Sequence, residues 1–493
     1  MTLFERLHDV ANQYKDQIAL SDGQQQLSYA ALFDKIQRLA NALVALQVKS
    51  IALFGGNSID WVLVDLACQQ CNITLLPLPA FFSQGQINAC IKQAGCELLL
   101  TEDPHLVQQL DASLLQSDAN VRLADCRFFA FALRASLVQL PLGTDKITFT
   151  SGSTGQPKGV CLTNEHQWQV AASLAQVIAI EAPRHLALLP LSTLLENIAG
   201  IYSPLLCGGT VVIPTEQQRG MQGSSKLDAT ALLQFISQQQ PNSLILIPQL
   251  LRLLVGACLH GWQPPASLRF VAVGGGKVDK KLLQTAHSLG LPVFEGYGLS
   301  ECGSVVALNT PHQQQPGAAG RILPHCQVEI VEGEVVVSGA CHLGYAGEPQ
   351  SWYPNKIFTG DLGTLNQGWL TINGRRKHLL ISSFGRNISP EWVESALLAE
   401  PVLNQCMVIG DAEPYLAAIV TTSAQVDEPQ LANLMARVNR QLPDYAQVWR
   451  WLRLSDAQLL PFTTANGRLK RDAIMAAFAD EIATLFHAES AFS

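Results

Sequence analysis

The ten residues Thr150–Gly159, TSGSTGQPKG, carry the densest set of groups able to hold an anion. Three glycines let the backbone bend and approach a ligand, and N–H groups with the hydroxyls of Thr150, Ser151, Ser153 and Thr154 can donate to phosphate oxygens. Gly152 and Gly155 lie within this turn, and Lys158 adds positive charge at its exit. The segment follows the strand-like run KITF and precedes a helical stretch starting near Asn164, a mounting that suits a phosphate cradle better than a flexible linker. It is not a Walker A loop, because Pro157 precedes Lys158 and Gly159 follows it where GxxxxGK[ST] requires Ser or Thr.

Other segments offer complementary chemistry. GYGLSE, Gly296–Glu301, follows the run LPVF and supplies an aromatic face at Tyr297, a hydroxyl at Ser300 and a hard carboxylate donor at Glu301. VGGGK, with Gly274, Gly275 and Gly276, ends another strand-like run. FTGD brings Asp361, whose carboxylate can accept two hydroxyl hydrogen bonds, and NGRRKHLL brings Arg375 and Lys377. Near the C-terminus PFTTANGRLKRDAI places Arg468 directly after a glycine and Lys470 two residues later.

In order and spacing these segments resemble the signature motifs of the adenylate-forming superfamily, which includes acyl-CoA synthetases, peptide-synthetase adenylation domains and luciferases. The resemblance spans roughly residues 150–475. It implies that Thr150, Ser151, Gly152, Ser153, Thr154 and Gly155 cradle ATP phosphates. Gly274, Gly275 and Gly276, with Glu295, Gly296, Tyr297 and Gly298, are implied to line the adenine, and Asp361 and Arg375 to hold the ribose hydroxyls. Glu301 and Thr154 are implied to bind Mg²⁺, and Ser300 to meet the α-phosphate. Lys377 is implied as a hinge about which a C-terminal domain rotates, and Gly385, in SSFGRNISP, as part of a thiol tunnel that resembles those of fatty acyl-CoA synthetases. The chain departs from the pattern where a lysine usually follows the last glycine: Arg468 stands there. Arginine keeps the charge and offers a planar fork. Arg468 is therefore expected in the reacting site with Lys158 and Ser300, whereas Lys470, a second catalytic candidate, is expected to point away.

The elements that must position these groups alternate in type. From an N-cap at Ser28, Ile36, Leu39, Leu43 and Leu46 form a helical stripe. SIALFGG, NITLLPLP, CELLL, DKITFT, HLALLPL, TVVIP, SLILI, RFVAVG and PVFEGYG read as strands separated by helices, the spacing of helix-covered, mainly parallel sheets. Around residue 320 short β-like runs predict a small antiparallel module or barrel. The expected fold is α/β, with an AMP-binding domain over 1–374 that includes a β-rich subdomain at about 315–374. A mobile α+β domain follows over 375–493.

Composition narrows the function classes. The 493 residues are 48% hydrophobic and 15% charged, which excludes disorder as the main state. A net charge of −8 without a long basic run excludes a nucleic-acid footprint, and the apolar runs are too short for a membrane span. The N-terminus has no apolar signal core, so a cytoplasmic location is expected, with the 12 cysteines reduced and mostly buried. The resemblance implies ATP-dependent activation of a carboxylic acid to an acyl-adenylate, then thioester formation with CoA, with ATP, Mg²⁺ and CoA as cosubstrates and cofactor. LLPLSTLLENIAG offers Thr193 and Leu194 where relatives show His or an aromatic, pointing to a fatty or other apolar acid. Transfer to an acyl-carrier-protein thiol, or a nucleotide-binding homologue impaired by the missing lysine, are the alternatives.

Overall fold

The computed structural model describes residues 3–80, 82–123, 126–134, 136–150, 158–222, 226–383, 386–423, 426–464 and 467–487. Helices start where serine can satisfy the first free N–H groups. Ser28 accepts from Ala31 ahead of Tyr29–Ala45, Ser58 from Trp61 ahead of Ile59–Cys71, and Ser83 closes a capping box with Gln86. The helix Ile59–Cys71 is buried on nearly all sides, the signature of a helix inside a large core. Cys68 and Cys71 lie on it as unpaired thiols, Cys68 buried in the core.

Two large sheets dominate the described residues. One has eight strands, in the order Gly344–Tyr345, Lys158–Leu162, Lys146–Thr150, Thr74–Leu78, Ser50–Phe54, Leu98–Thr101, Phe129–Leu133 and Leu115–Arg122. Its four central strands are parallel and its flanks antiparallel. The other has 13 strands and is parallel from Ile18–Ser21 through Thr210–Val212, Arg184–Leu186, Ser243–Leu246 and Phe270–Val273 to Val293–Tyr297. Beyond Val293–Tyr297 its pairing turns antiparallel. Such runs of parallel strands need both faces covered, and apolar helices supply the cover.

Two expectations change here. The antiparallel β-rich module expected here is present around its own apolar cluster, but as part of the larger sheet and not as a closed barrel. Gly320–Ile322, Cys326–Val331, Glu334–Gly339, Ile357–Asn366 and Trp369–Arg375 extend the 13-stranded sheet, because Ala307–Leu308 bridges Val293–Tyr297 to Gly320–Ile322. The strand before the glycine-rich turn and the helix from Asn164 stand where expected, but a further strand lies between the turn and the helix. Lys158–Leu162 is a strand pairing antiparallel with Lys146–Thr150, so the turn joins the arms of a hairpin. Pro157 and Gly159 had hidden that short strand.

Beneath this hairpin lies a buried polar knot. Lys146 Nζ sits 2.7 Å from Asp65 Oδ1 with side chains 1% and 0% exposed, and it donates to Asn197 Oδ1 and Tyr202 OH at 2.6 Å each. Tyr202 OH and Asn197 Nδ2 donate to Asp65 Oδ2 at 2.5 and 2.9 Å. Burial pulls the Lys146 ammonium below its ordinary pKa while Asp65 holds it up. Asn197 and Tyr202 lie on a π-helical segment, Glu196–Tyr202, so the knot ties the hairpin Lys146–Thr150/Lys158–Leu162 to the helices Ile59–Cys71 and Glu196–Leu206.

After residue 379 the chain forms a smaller unit. A three-stranded sheet, Leu403–Ile409, Leu416–Thr422 and Val448–Leu454, is packed by the helices Pro390–Leu398, Glu428–Asn439, Arg471–Ala477 and Ala479–His487 around its own apolar clusters. Few polar contacts join it to the rest. Gln249 Nε2 donates to Gly467 O at 3.3 Å, Arg252 Nη2 to Asn404 O at 3.4 Å, and Lys281 meets Gln441.

Candidate active site

The strands Lys146–Thr150, Phe270–Val273 and Val293–Tyr297 run into the candidate segments at their carboxyl ends, the usual location of ligand crevices in α/β sheets. At the last of these the sheet switches from parallel to antiparallel pairing, so the following segment folds back over the strand ends. Gly298 is required there, since a Cβ would lie 1.9 Å from Ser304 O.

Four of the expected residues converge. Asp361 and Arg375 face each other across an antiparallel pair, and Arg375 Nε reaches Asp361 Oδ1 at 2.7 Å. Tyr297 OH donates to Asp361 Oδ2 at 2.7 Å, which fixes the aromatic ring beside the buried carboxylate. Arg468 arrives from the smaller unit, its Nε donating to Gly275 O at 3.1 Å and its Nη2 reaching the same carbonyl. Desolvation and the neighbouring Arg375 pull the Arg468 guanidinium down, and Asp361 opposes them.

Arg468 is presented by a tight turn. Thr464 N donates to Arg468 O at 2.7 Å and Thr464 Oγ1 accepts from Arg468 N at 2.9 Å, while Thr463 bridges to Leu469. Gly467 sits at φ +74°, where a side chain would be strained and would displace the amide of Gln249. Lys470 is exposed and begins the helix Arg471–Ala477. In an extended chain residues two apart share a face, so what distinguishes the two is their bonding: Arg468 reaches Gly275 O, whereas Lys470 is exposed at a helix start with its N–H on Phe462 O.

Gly274 is buried, Gly275 and Gly276 are exposed at the end of Phe270–Val273, and Gly296 pairs with Leu308. Ser300 opens the short turn Ser300–Cys302 and is half-buried. Glu301 accepts from Tyr345 OH at 3.0 Å through Oε1. Lys158 lies 3.4 Å from Glu348 Oε1 and 4.7 Å over the Tyr345 ring. Lys377 is exposed in the turn Arg376–His378, between the last strand of the large sheet and the smaller unit. Thr150 ends its strand, whereas Ser151, Gly152, Ser153, Thr154, Gly155 and Gly385 fall outside the described residues.

Glu295 also lies here, one strand from Val273. Burial pushes its carboxyl up to about 7 from an ordinary 4.5, against the pull of Lys277. Between those pH values the native chain binds more protons than the unfolded one, so this group makes stability fall as pH rises from about 4.5 to 7. Glu295→Gln is expected to remove that slope and to gain up to roughly 3 kcal/mol at pH 8. Urea midpoints at pH 5 and pH 8 check it, and a variant as pH-sensitive as the parent refutes it.

Sequence reasoning missed Tyr345 and Glu348 beside Lys158, and the Lys146–Asp65 pair beneath the hairpin. Signals existed: a Gly-Tyr pair after a β-like run, and charges set in the apolar runs KITFT and WVLVDLA, one in each.

A family model described as AMP-binding enzyme matches residues 7–344, and one described as AMP-binding enzyme C-terminal domain matches 377–490. Curated relatives include a 2-succinylbenzoate–CoA ligase of Bacillus subtilis, 26% identical over 80% of this chain and 82% of its own. A long-chain-fatty-acid–CoA ligase of Mycobacterium bovis is 25% identical over 80% of this chain and 77% of its own. An indoleacetate–CoA ligase of Aromatoleum aromaticum is 28% identical over 80% and 82%. Among solved structures, an anthranilate CoA ligase in complex with anthranoyl-AMP superposes with a TM-score of 0.83 at 18% identity, covering 98% of both chains, a likeness of fold.

Proposed function

The chain belongs to the AMP-binding enzyme family, and on that premise we propose that it joins an apolar carboxylic acid to CoA in two steps. Carboxylate attacks the α-phosphorus of ATP, forming the acyl-adenylate and releasing pyrophosphate. The CoA thiol then attacks the acyl carbon, forming the thioester and releasing AMP. The observation that carries the reading is the meeting of Tyr297, Asp361, Arg375 and Arg468 at the carboxyl ends of the strands. In-line attack brings two anions together, so fixed positive groups aimed at the phosphate lower the barrier most.

In this reading Arg468 offsets charge on the carboxylate and α-phosphate, and Lys158 charge on the phosphate tail. Asp361 and Arg375 orient the ribose, Tyr297 packs on the base, and Ser300 donates to the α-phosphate. Gly274, Gly275 and Gly276 line one face of the adenine. The turn Ser151–Gly155 donates N–H and hydroxyl groups, and Lys377 and Gly385 act as hinge and thiol passage. Glu301 fits a magnesium ion because it is a half-buried carboxylate with one oxygen held by a hydroxyl donor, leaving hard oxygen character for a metal. A bound magnesium ion supplies neutralisation of phosphate charge.

An apolar substrate, a fatty acid first among candidates, is supported by the segment Leu186–Leu194, whose leucines are buried. The segment itself has no acid, and the nearest one after it, Glu196, is committed to His185 Nε2 at 2.9 Å and Leu189 N at 3.1 Å, which leaves no carboxylate there for a substrate amine. The relatives' names, which pair CoA with fatty, aryl-succinate and indole acids, favour CoA over a carrier-protein thiol and keep aromatic acids as the second reading. Pyrophosphate release is the test, measured over fatty acids of graded length, aryl acids and amino acids with ATP, magnesium and CoA. Highest kcat/KM with a fatty acid is expected. A preference for amino acids overturns the substrate reading, and no release with any acid overturns the activity.

A further inference from the structure

Resting on the reading of Glu301 and Lys158 as phosphate-side groups, we propose that Tyr345 is a positioning residue that holds both at once, its hydroxyl on Glu301 and its ring face under Lys158. Tyr345 OH donates to Glu301 Oε1 at 3.0 Å, and Lys158 Nζ lies 4.7 Å from the ring centroid. One side chain therefore spans from the segment after the larger sheet's parallel strands to the strand leaving the phosphate turn, two elements carried on different sheets.

The ring itself is fixed from several directions. Gly344 and Tyr345 pair with Cys161 and Val160, the strand that begins at Lys158. Ser351 Oγ accepts from Tyr345 N at 2.9 Å, and Trp352 Nε1 donates to Tyr345 O at 3.0 Å. His342 packs edge-on against the ring at 5.0 Å, and its N–H donates to Glu301 O at 2.6 Å. Glu301 is thus gripped by backbone and side chain of the same short segment, His342–Tyr345. Among the described residues its second carboxylate oxygen has no hydrogen-bond partner and stays open to a cation.

Calorimetric binding of ATP, with magnesium and with EDTA, separates the positioning role from general damage. Tyr345→Phe keeps the ring and loses the hydroxyl, so affinity for Mg²⁺·ATP is expected to fall roughly tenfold while metal-free ATP binding shifts less than twofold. Tyr345→Leu removes the ring as well and is expected to weaken metal-free ATP binding several-fold. In a Glu301→Gln background the Tyr345→Phe effect should vanish, the sign of direct coupling that a merely structural tyrosine would not give. If Glu301→Gln lowers Mg²⁺·ATP affinity but Tyr345→Phe does not, or if the two effects add, the positioning proposal is overturned and the metal reading stands. If Glu301→Gln leaves the magnesium dependence intact, the metal reading itself fails.

Discussion

Replacing Arg468 with alanine is expected to slow acyl-adenylate formation by roughly 100- to 1,000-fold, the range for removing one preorganised donor from a developing charge. Lys470→Ala, by contrast, is expected to cost less than about threefold, since no positioned donor is lost. The difference follows from the turn at Gly467, which directs Arg468 onto Gly275 O near Arg375 and Asp361 and leaves Lys470 at an exposed helix start. Arg468→Lys keeps the charge and loses the fork, so it should recover part of the rate only. ATP–pyrophosphate exchange, dependent on added carboxylic acid, measures the step directly. Equal losses at the two positions, or a larger one at Lys470, would assign the role wrongly.

Asp65→Ala should be the most damaging single change to stability, at about 3–5 kcal/mol, because it leaves Lys146 charged and unpaired in the core. The pair's side chains are 1% and 0% exposed, and Tyr202 and Asn197 lose their acceptor with Asp65. Changing both partners, Asp65→Leu with Lys146→Met, should recover most of that loss, since an apolar pair of similar volume needs no compensating charge. Urea denaturation of the single and double variants makes the comparison. A cost below about 1 kcal/mol for Asp65→Ala would mean that the charge is solvated or neutralised by another route. The double variant also asks whether the knot matters to chemistry: Lys146 begins the strand that ends at Thr150, so a stable protein with weakened ATP affinity would tie the knot to the phosphate turn.

Much of the architecture is legible along the chain. Serines at 28, 58 and 83 mark helix starts because a hydroxyl followed by an apolar stripe is a local signal. Strands such as Ser243–Leu246 and Phe270–Val273 show as short apolar runs because both of their faces are covered. Lys158–Leu162 does not show, since its start lies in a Pro-Lys-Gly sequence that reads as a turn and its strand character comes from pairing with Lys146–Thr150. The continuation of the antiparallel strands into the larger sheet was equally hidden, because the pairing of Val293–Tyr297 with the two-residue strand Ala307–Leu308 leaves no periodic mark.

The sequence by itself determined the inventory and its order: a hydroxyl-and-glycine turn, an aromatic followed by an acid, an Asp and Arg 14 residues apart, and an arginine where a lysine is usual. Those are contiguous features, set by backbone freedom and side-chain chemistry within a few residues. Only the tertiary structure decided which of them meet. Tyr297 reaches Asp361 across 64 positions and Arg468 reaches Gly275 across 193, while Tyr345 joins Glu301 across 44. Such meetings depend on sheet register and on a turn that re-aims one side chain, and register arises from packing between distant segments, which no local pattern encodes.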